Sequence, residues 1–422
     1  MTQTHKIDSG RGWVVAFGGC LINTWTFGVF YAFATALEQM VQEFNASLSG
    51  IAAFFAVTTF LFFATGVVAG PLADRFGARR LVAVGAVLMG GGLWLTAQVD
   101  SLFAGILIYG LGVGLGIGSY LVPLSVATGA WFEKHRTLAL GINTVGIGLG
   151  TLILVPVAEW LIRTAGWRSA FELMGIGSAI VYFLVALASF RPPTPPAPLS
   201  ASISAARQAL RRSEFWRLYV AGFLMSVALF IPFVFLVQYA KEQGIASSTA
   251  AFLITSLGLG SVLGRLGLGV LGMRLGVLPL VIMCFAIQPI AYIVWLIAGA
   301  NYPLLLLFAA LLGMGYGGFV ALSPVAMAGI FGLEGLGGVL GIQYTSAGVG
   351  ALIGPIAAGA IIDATGSYTV AIIGAIFVSL AAVFSVMPMW RLGSGTPPPP
   401  TDLRTRSYLS EPTVWLVSPR PR

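Results

Sequence analysis

The sequence predicts an all-α membrane protein with twelve transmembrane helices arranged as two six-helix, pseudo-symmetric bundles. Three observations lead there. Only 9% of the 422 residues are charged, against about 25% in soluble proteins, and adding the 55 glycines to the 58% hydrophobic set brings the apolar share to roughly 71%. That apolar content matches twelve spans of about 20 residues each, which would take roughly 57% of the chain. Finally, the second half repeats residues of the first. No water-exposed surface can be made from this composition, so soluble domains are excluded despite the length.

The elements follow in order. The first apolar run, residues 13–37, is too long for a signal-peptide core and lacks a small-residue cleavage site, so it reads as a retained span. Breaks near 44–49, 74–80, 98–101, 133–137 and 163–168 delimit spans two to six. The segment RPPTPPAPLSASISAARQALRRSEF begins with a proline-rich piece and continues as a basic stretch suited to the surface of the inner leaflet. Breaks near 241–248, 274–277, 299–303, 334–338 and 366–368 then divide a second set of six. The expected organisation is an N-terminal bundle over 1–190, a cytoplasmic linker over 191–214, a C-terminal bundle over 215–390 and a disordered cytoplasmic tail over 391–422.

Charge placement orients the spans. With the N-terminus inside, 18 of the 22 cations fall in cytoplasmic segments; only Arg163, Arg168 and Lys241 fall outside, and Arg265 lies within span eight. This positive-inside bias predicts that both termini are cytoplasmic. It also accounts for the net charge of +8 without nucleic acid as a partner. Cys20 and Cys284 sit in apolar runs of opposite halves and read as packing residues, while His5 and His135 cannot assemble a metal cluster. The glycine runs at 110–118, 258–272 and 313–318 lack a preceding strand or P-loop lysine and suit close helix packing. Pro123, Pro156, Pro232, Pro289, Pro324 and Pro355 read as kinks.

The internal repeat is explicit. GINTVGIGLGTLI from Gly141 returns 200 residues later as GIQYTSAGVGALI from Gly341, and GLGVGLGIGSYLVP, ending at Pro123, has its counterpart in LLGMGYGGFVALSP, ending at Pro324. GPLADRFG from Gly70 is echoed by GVLGMRLG from Gly269. Repeats of this kind put a substrate site at their interface near the bilayer midplane.

GPLADRFGARR, from Gly70 to Arg80, resembles the loop-two-three signature of the major facilitator superfamily. On that resemblance Gly70, Asp74, Arg75, Gly77 and Arg79 form a conformational gate, with Gly70 allowing close helix approach and the Asp74 carboxylate latching one of two states. DSGRGWVVAFGG resembles the start of the first span of monocarboxylate transporters, keeping Asp8 and Trp13 but with Ser9 and Arg11 at two signature positions. WFEKHRTLALGINTVGIGLG, from Trp131 to Gly150, resembles that family's fifth-span signature, and GAIIDATGSYTVA also fits. The oxalate:formate antiporters are a more distant likeness.

Arg265 is the informative residue for chemistry. A guanidinium at membrane depth is costly unless paired, and no carboxylate in the sequence lies obviously at its depth, so a small anion engaged by the guanidinium fork would satisfy it. The monocarboxylate family carries an arginine at this place, which implies the same role. Its animal members have an aspartate four residues earlier and a lysine near the outer end of span one, where this chain has Ser261 and Thr35, so their proton and gating roles do not carry over. Amide and hydroxyl groups expected around the anion are Asn143, Tyr120, Tyr316, Gln343 and Tyr344, with Ser261 beside Arg265; Asn23 and Gln238 rank lower. GIQYTSAGVGALIG has no second cation for a dicarboxylate, which favours one carboxyl per substrate.

The expected function is therefore secondary transport of a small, lactate-like or pyruvate-like monocarboxylate together with a proton, by alternating access, in the cell's inner (plasma) membrane. An organic-anion exchanger of the oxalate:formate type is the alternative. An exporter of drug-like or amphipathic compounds ranks behind it. The partners are the substrate, the proton and the lipid bilayer, with the chain working as a monomer. No nucleophile–base pair, metal set or soluble catalytic domain exists, so no enzyme and no cofactor are expected.

Overall fold

The computed structural model describes residues 7–190, 199–332 and 335–389, apart from the side chains of 71, 74, 136, 137, 199–202, 269, 270, 273 and 274. The described residues form helices joined by short turns. In the first half these are α1 (Gly10–Glu43), α2 (Leu48–Phe76), α3 (Ala78–Thr96) and α4 (Leu102–Trp131). The hydrogen-bonded run Arg136–Ala188 breaks at Gly166 (φ 82°, ψ 161°) into α5 (136–165) and α6 (167–188). A linker helix, Leu199–Ala209, precedes the second half: α7 (Ser213–Glu242), α8 (Ser247–Leu275), α9 (Val277–Ala298), α10 (Tyr302–Phe331), α11 (Leu336–Thr365) and α12 (Tyr368–Val386). The chain is thus a multi-pass membrane protein of twelve spans. Its outward-facing side chains suit lipid, with Val87, Phe103 and Phe377 exposed by 74%, 70% and 67%.

Successive helices run in opposite directions. The start of α1, the α2–α3, α4–α5, α8–α9 and α10–α11 turns, the end of α6, the start of α7 and the end of α12 form one face, here the terminal face; the α1–α2, α3–α4, α5–α6, α7–α8, α9–α10 and α11–α12 turns form the distal face. Gly77 and Gly276 close the corresponding turns of the two halves with nearly equal dihedrals, φ 83°, ψ 145° and φ 89°, ψ 149°. That region is open essentially to glycine alone.

Helix α1 continues past the expected end at Leu37 through Glu38, Gln39, Gln42 and Glu43, because an α-helix satisfies its backbone internally whether lipid or water surrounds it. The glycine run in α4 includes a π-helical stretch, Gly110–Gly114, in which Gly112 lies backbone to backbone against Gly92 of α3. All six anticipated kink prolines lie inside helices.

The halves meet along two crossings. Where α5 meets α8, Val262 fills the space at Gly148 and Thr151 fills that at Gly258; where α2 meets α11, Phe63 packs on Gly348. At the distal face Lys241 pairs with Glu38. Asp363 accepts from the Leu48 amide (2.9 Å), the Ser49 amide (3.0 Å) and the Ser49 hydroxyl (2.8 Å), all at the start of α2. Within the first half, Arg163 pairs with Glu159 at 3.6 Å as their spacing suggests, but Arg168 binds Glu43 (2.5 Å) and Asp100 (3.0 Å) and leaves the nearby Glu172 to Gln98.

Candidate functional site

The repeat brings α1, α2, α5, α7, α8, α10 and α11 to the space between the halves. Arg265 stands there on α8, ten residues or about 15 Å from the terminal end at Leu275. A helical side chain leans toward its own helix's N-terminus, which for α8 is the distal end, so the guanidinium is carried into the bundle and away from the terminal face. Arg265 is only 9% exposed. Its Nη1 donates to the Thr144 carbonyl of α5 at 2.8 Å, while Nε and Nη2 have no hydrogen-bond partner among the described residues. None of the ion pairs formed by described carboxylates involves it. A buried guanidinium with one well-formed hydrogen bond, and with the Tyr316 hydroxyl interacting with it more loosely, leaves part of its donor fork available to an anion.

Aromatic side chains build the rest of the enclosure. Tyr31 of α1 stacks on Phe233 of α7 (centroids 4.3 Å apart), and Phe233 meets Tyr316 of α10 edge-on at 6.3 Å. Phe63 of α2 bridges Phe230 (6.5 Å) and Tyr344 of α11 (6.3 Å). Tyr316 lies within electrostatic range of Arg265, Tyr31 and Tyr344, and Tyr31 is likewise within range of Arg265. The arrangement offers one cation and three phenols inside apolar walls, which suits a small anion carrying an apolar or polar tail.

Of the residues singled out from sequence, Arg265, Tyr316 and Tyr344 come together. Asn143 and Tyr120 lie within the first half: Asn23 donates to Asn143 Oδ1 (2.5 Å) and its carbonyl (3.0 Å), and the Tyr120 hydroxyl donates to Asn23 Oδ1 (3.0 Å). Gln343 occupies the repeat-related position in the second half and donates to the Leu218 carbonyl of α7 at 3.0 Å. Ser261 packs against Gly313 and Gly317 of α10, its buried hydroxyl without a partner among the described residues. Gln238 donates to Glu242 at 3.0 Å near the distal face.

Sequence reasoning missed Tyr31, Phe63, Phe230, Phe233 and Thr144. Two signals pointed to some of them: Tyr31 precedes Thr35 by one turn, and Phe233 follows a kink proline.

At the expected gate, Arg75 and Arg79 are exposed and the Arg75 guanidinium covers the Phe76 ring at 5.2 Å. Gly77 caps α2 through its amide to the Ala73 carbonyl at 2.7 Å. A Cβ at Gly70 would come no closer than 4.0 Å to Val122, so no tight helix approach occurs there in this state. The Asp74 side chain lies outside the described residues. The two stretches with the monocarboxylate-transporter likeness do meet: the Asp8 amide donates to the Trp131 carbonyl (3.0 Å), and its carboxylate accepts from the Lys134 (3.3 Å) and His135 (3.4 Å) amides. Partial desolvation opposes ionisation of Asp8, but the backbone amides of Lys134, His135 and Glu133, with the charge of His135, outweigh it and hold the carboxyl below its usual range.

Two repeated six-helix halves with a buried cation between them describe a membrane transporter. The chain belongs to the Major Facilitator Superfamily, whose family model matches residues 19–267 and 218–418. It is 27% identical to monocarboxylate transporter 4 of Gallus gallus over 89% of this chain and 82% of that one. It is 28% identical to an aspyridones efflux protein of Emericella nidulans over 86% and 74%. Among solved structures, a bacterial homologue of the human lysosomal transporter Spinster, inward-facing and unoccupied, superposes with a TM-score of 0.74 at 14% identity over 92% and 98%. That likeness concerns the fold alone.

Proposed function

We propose that this transporter carries a small monocarboxylate together with a proton by alternating access, with Arg265 holding the carboxylate. The observation that supports the reading most is the Arg265 guanidinium, nine-tenths buried between the halves with Nε and Nη2 unpartnered among the described residues. Leaving such a group unpaired is costly, and an anionic substrate is the partner that relieves the cost. Tyr316, Tyr31 and Tyr344 supply hydroxyls to the carboxylate's second oxygen or to a 2-hydroxy or 2-keto group. Because moving a lone carboxylate across an apolar barrier is prohibitive, the proton rides on the substrate's own carboxyl. Ser261 cannot ionise to hold it.

In this reading the terminal face is cytoplasmic, the membrane is the inner (plasma) membrane, the halves are residues 1–190 and 215–390, and one chain suffices for transport. Gly70, Asp74, Arg75, Gly77 and Arg79 act as a gate element away from the substrate.

The test is uptake of a panel of radiolabelled short-chain acids by proteoliposomes under an imposed pH gradient. Arg265→Ala should lower uptake by about 100-fold or more, the equivalent of losing one charge-assisted pair, and Arg265→Lys should rescue poorly because it lacks the planar fork. Wild-type uptake by a well-folded Arg265→Ala variant removes the residue from the site. A valinomycin-imposed potential that drives accumulation where a pH gradient does not would replace proton symport by uniport or exchange.

Export of a larger amphipathic acid is a second reading, favoured by the aromatic lining and by the similarity to the aspyridones efflux protein. It predicts competition by aromatic acids at lower concentration than by lactate. Exchange of the oxalate:formate type predicts stimulation by internal dicarboxylate.

A further inference from the structure

Pro232 sits in the middle of α7, and its ring nitrogen has no hydrogen to donate to the carbonyl four residues earlier. That carbonyl belongs to Ala228. The hydroxyl of Tyr292, from α9, donates to the Ala228 carbonyl at 2.5 Å. Tyr292 is fully buried and is braced between the rings of Trp295 (5.8 Å) and Phe308 (5.7 Å), so its hydroxyl has a fixed direction. One turn earlier on α9, Gln288 donates to the Met225 carbonyl of the same α7 segment at 3.0 Å. The part of α7 before the proline is thereby fastened to α9, inside its own half.

The part after the proline has different partners. Phe233, the next residue, stacks on Tyr31 and meets Tyr316 at the proposed substrate site, and Lys241 pairs with Glu38 of the other half. A proline inside a helix bends it, so the placement of this part follows from the bend that Pro232 imposes and from how the orphaned carbonyl is satisfied.

We infer that Tyr292 is a positioning residue for transport: its hydroxyl replaces the hydrogen bond that Pro232 removes from α7, and so fixes the bend that holds Phe233 against Tyr31. It reaches the substrate only through Phe233. The inference rests on the substrate site proposed above for its transport readout, but the hydrogen-bond substitution can be tested without any substrate.

The experiment is a double-mutant cycle on the full chain with Tyr292→Phe, Pro232→Ala and the pair. In detergent, Tyr292→Phe should lower the melting temperature by several degrees, because it strands a buried carbonyl. In the Pro232→Ala background the new amide can take that carbonyl, so the same change should cost little. In proteoliposomes, with L-lactate as the probe, Tyr292→Phe should raise the half-saturation concentration threefold or more with a smaller change in maximal rate. The double variant should behave as Pro232→Ala alone. Additive effects of the two substitutions on melting overturn the inference, as does an unchanged half-saturation concentration in Tyr292→Phe. If Tyr292→Phe does not fold, recovery of folded protein on adding Pro232→Ala supports the inference and failure to recover it counts against it. Should wild-type protein not carry L-lactate, the substrate reading fails while the melting cycle still decides the role of Tyr292.

Discussion

Removing the Asp363 carboxylate should loosen the distal face far more than breaking the neighbouring ion pair. Asp363 accepts three hydrogen bonds at the start of α2, from the Leu48 amide, the Ser49 amide and the Ser49 hydroxyl, at 2.8–3.0 Å. Each net bond contributes about 0.5–1.5 kcal/mol, and an exposed carboxylate at a helix N-terminus adds about 0.3–1 kcal/mol. Because Asp363 is exposed, water recovers much of this when the halves part, and about 2 kcal/mol is a fair net value. Asp363→Ala should therefore raise the population open at the distal face about 30-fold. The Lys241–Glu38 pair is half-buried but still open to water at its carboxylate and is worth about 0–1 kcal/mol, so Lys241→Gln should raise it about fivefold at most. Thr35 is 8% exposed and lies one helical turn from both Tyr31 and Glu38. With Cys20 and Cys284 replaced by serine, the labelling rate of Thr35→Cys by a membrane-impermeant thiol reagent reports the open fraction. The reasoning fails if Asp363→Ala leaves that rate unchanged, or if Lys241→Gln accelerates it more.

Gly77→Ala and Gly276→Ala should each destabilise the protein by about 1–3 kcal/mol in thermal melts, since both residues occupy backbone conformations closed to a side chain, whereas Gly70→Ala should cost little because Val122 leaves room. The Asp8 carboxyl titrates below its ordinary value in the folded chain, so its contribution to stability is present above about pH 3.9 and is lost as pH falls through the folded value. Comparing melts of wild type and Asp8→Asn from pH 6 to pH 3 should show a difference that is largest at the upper end and shrinks toward the lower.

The succession of spans was legible in the sequence because lipid imposes a length on each one, a signal that does not depend on packing. Arg265 was legible for a related reason: it is the one cation placed inside a span, and a mid-span charge stands out against any apolar background. Which face a residue presents was not legible. Asn23 and Asn143 are equally costly in lipid, and each finds the other across α1 and α5, so an amide's need for a partner did not reveal whether that partner was substrate or neighbouring helix. Tyr31, Phe230 and Phe233 sit in runs apolar on every side, where a 3.6-residue period carries no contrast. The pairing of Arg168 with Glu43 and Asp100 instead of Glu172 similarly depends on how the turns converge.

The reciprocal fit of Gly148 with Val262 and Gly258 with Thr151 has a mechanical consequence. These contacts lie near the middle of α5 and α8, with arms of roughly 20 Å to either face at 1.5 Å per residue. Glycine brings the axes close there, so the crossing behaves as a fulcrum. A rotation of about 10° about it would displace each end by roughly 3.5 Å, in opposite senses. Such a tilt would narrow the space between α5 and α8 at one face by as much as it widened it at the other.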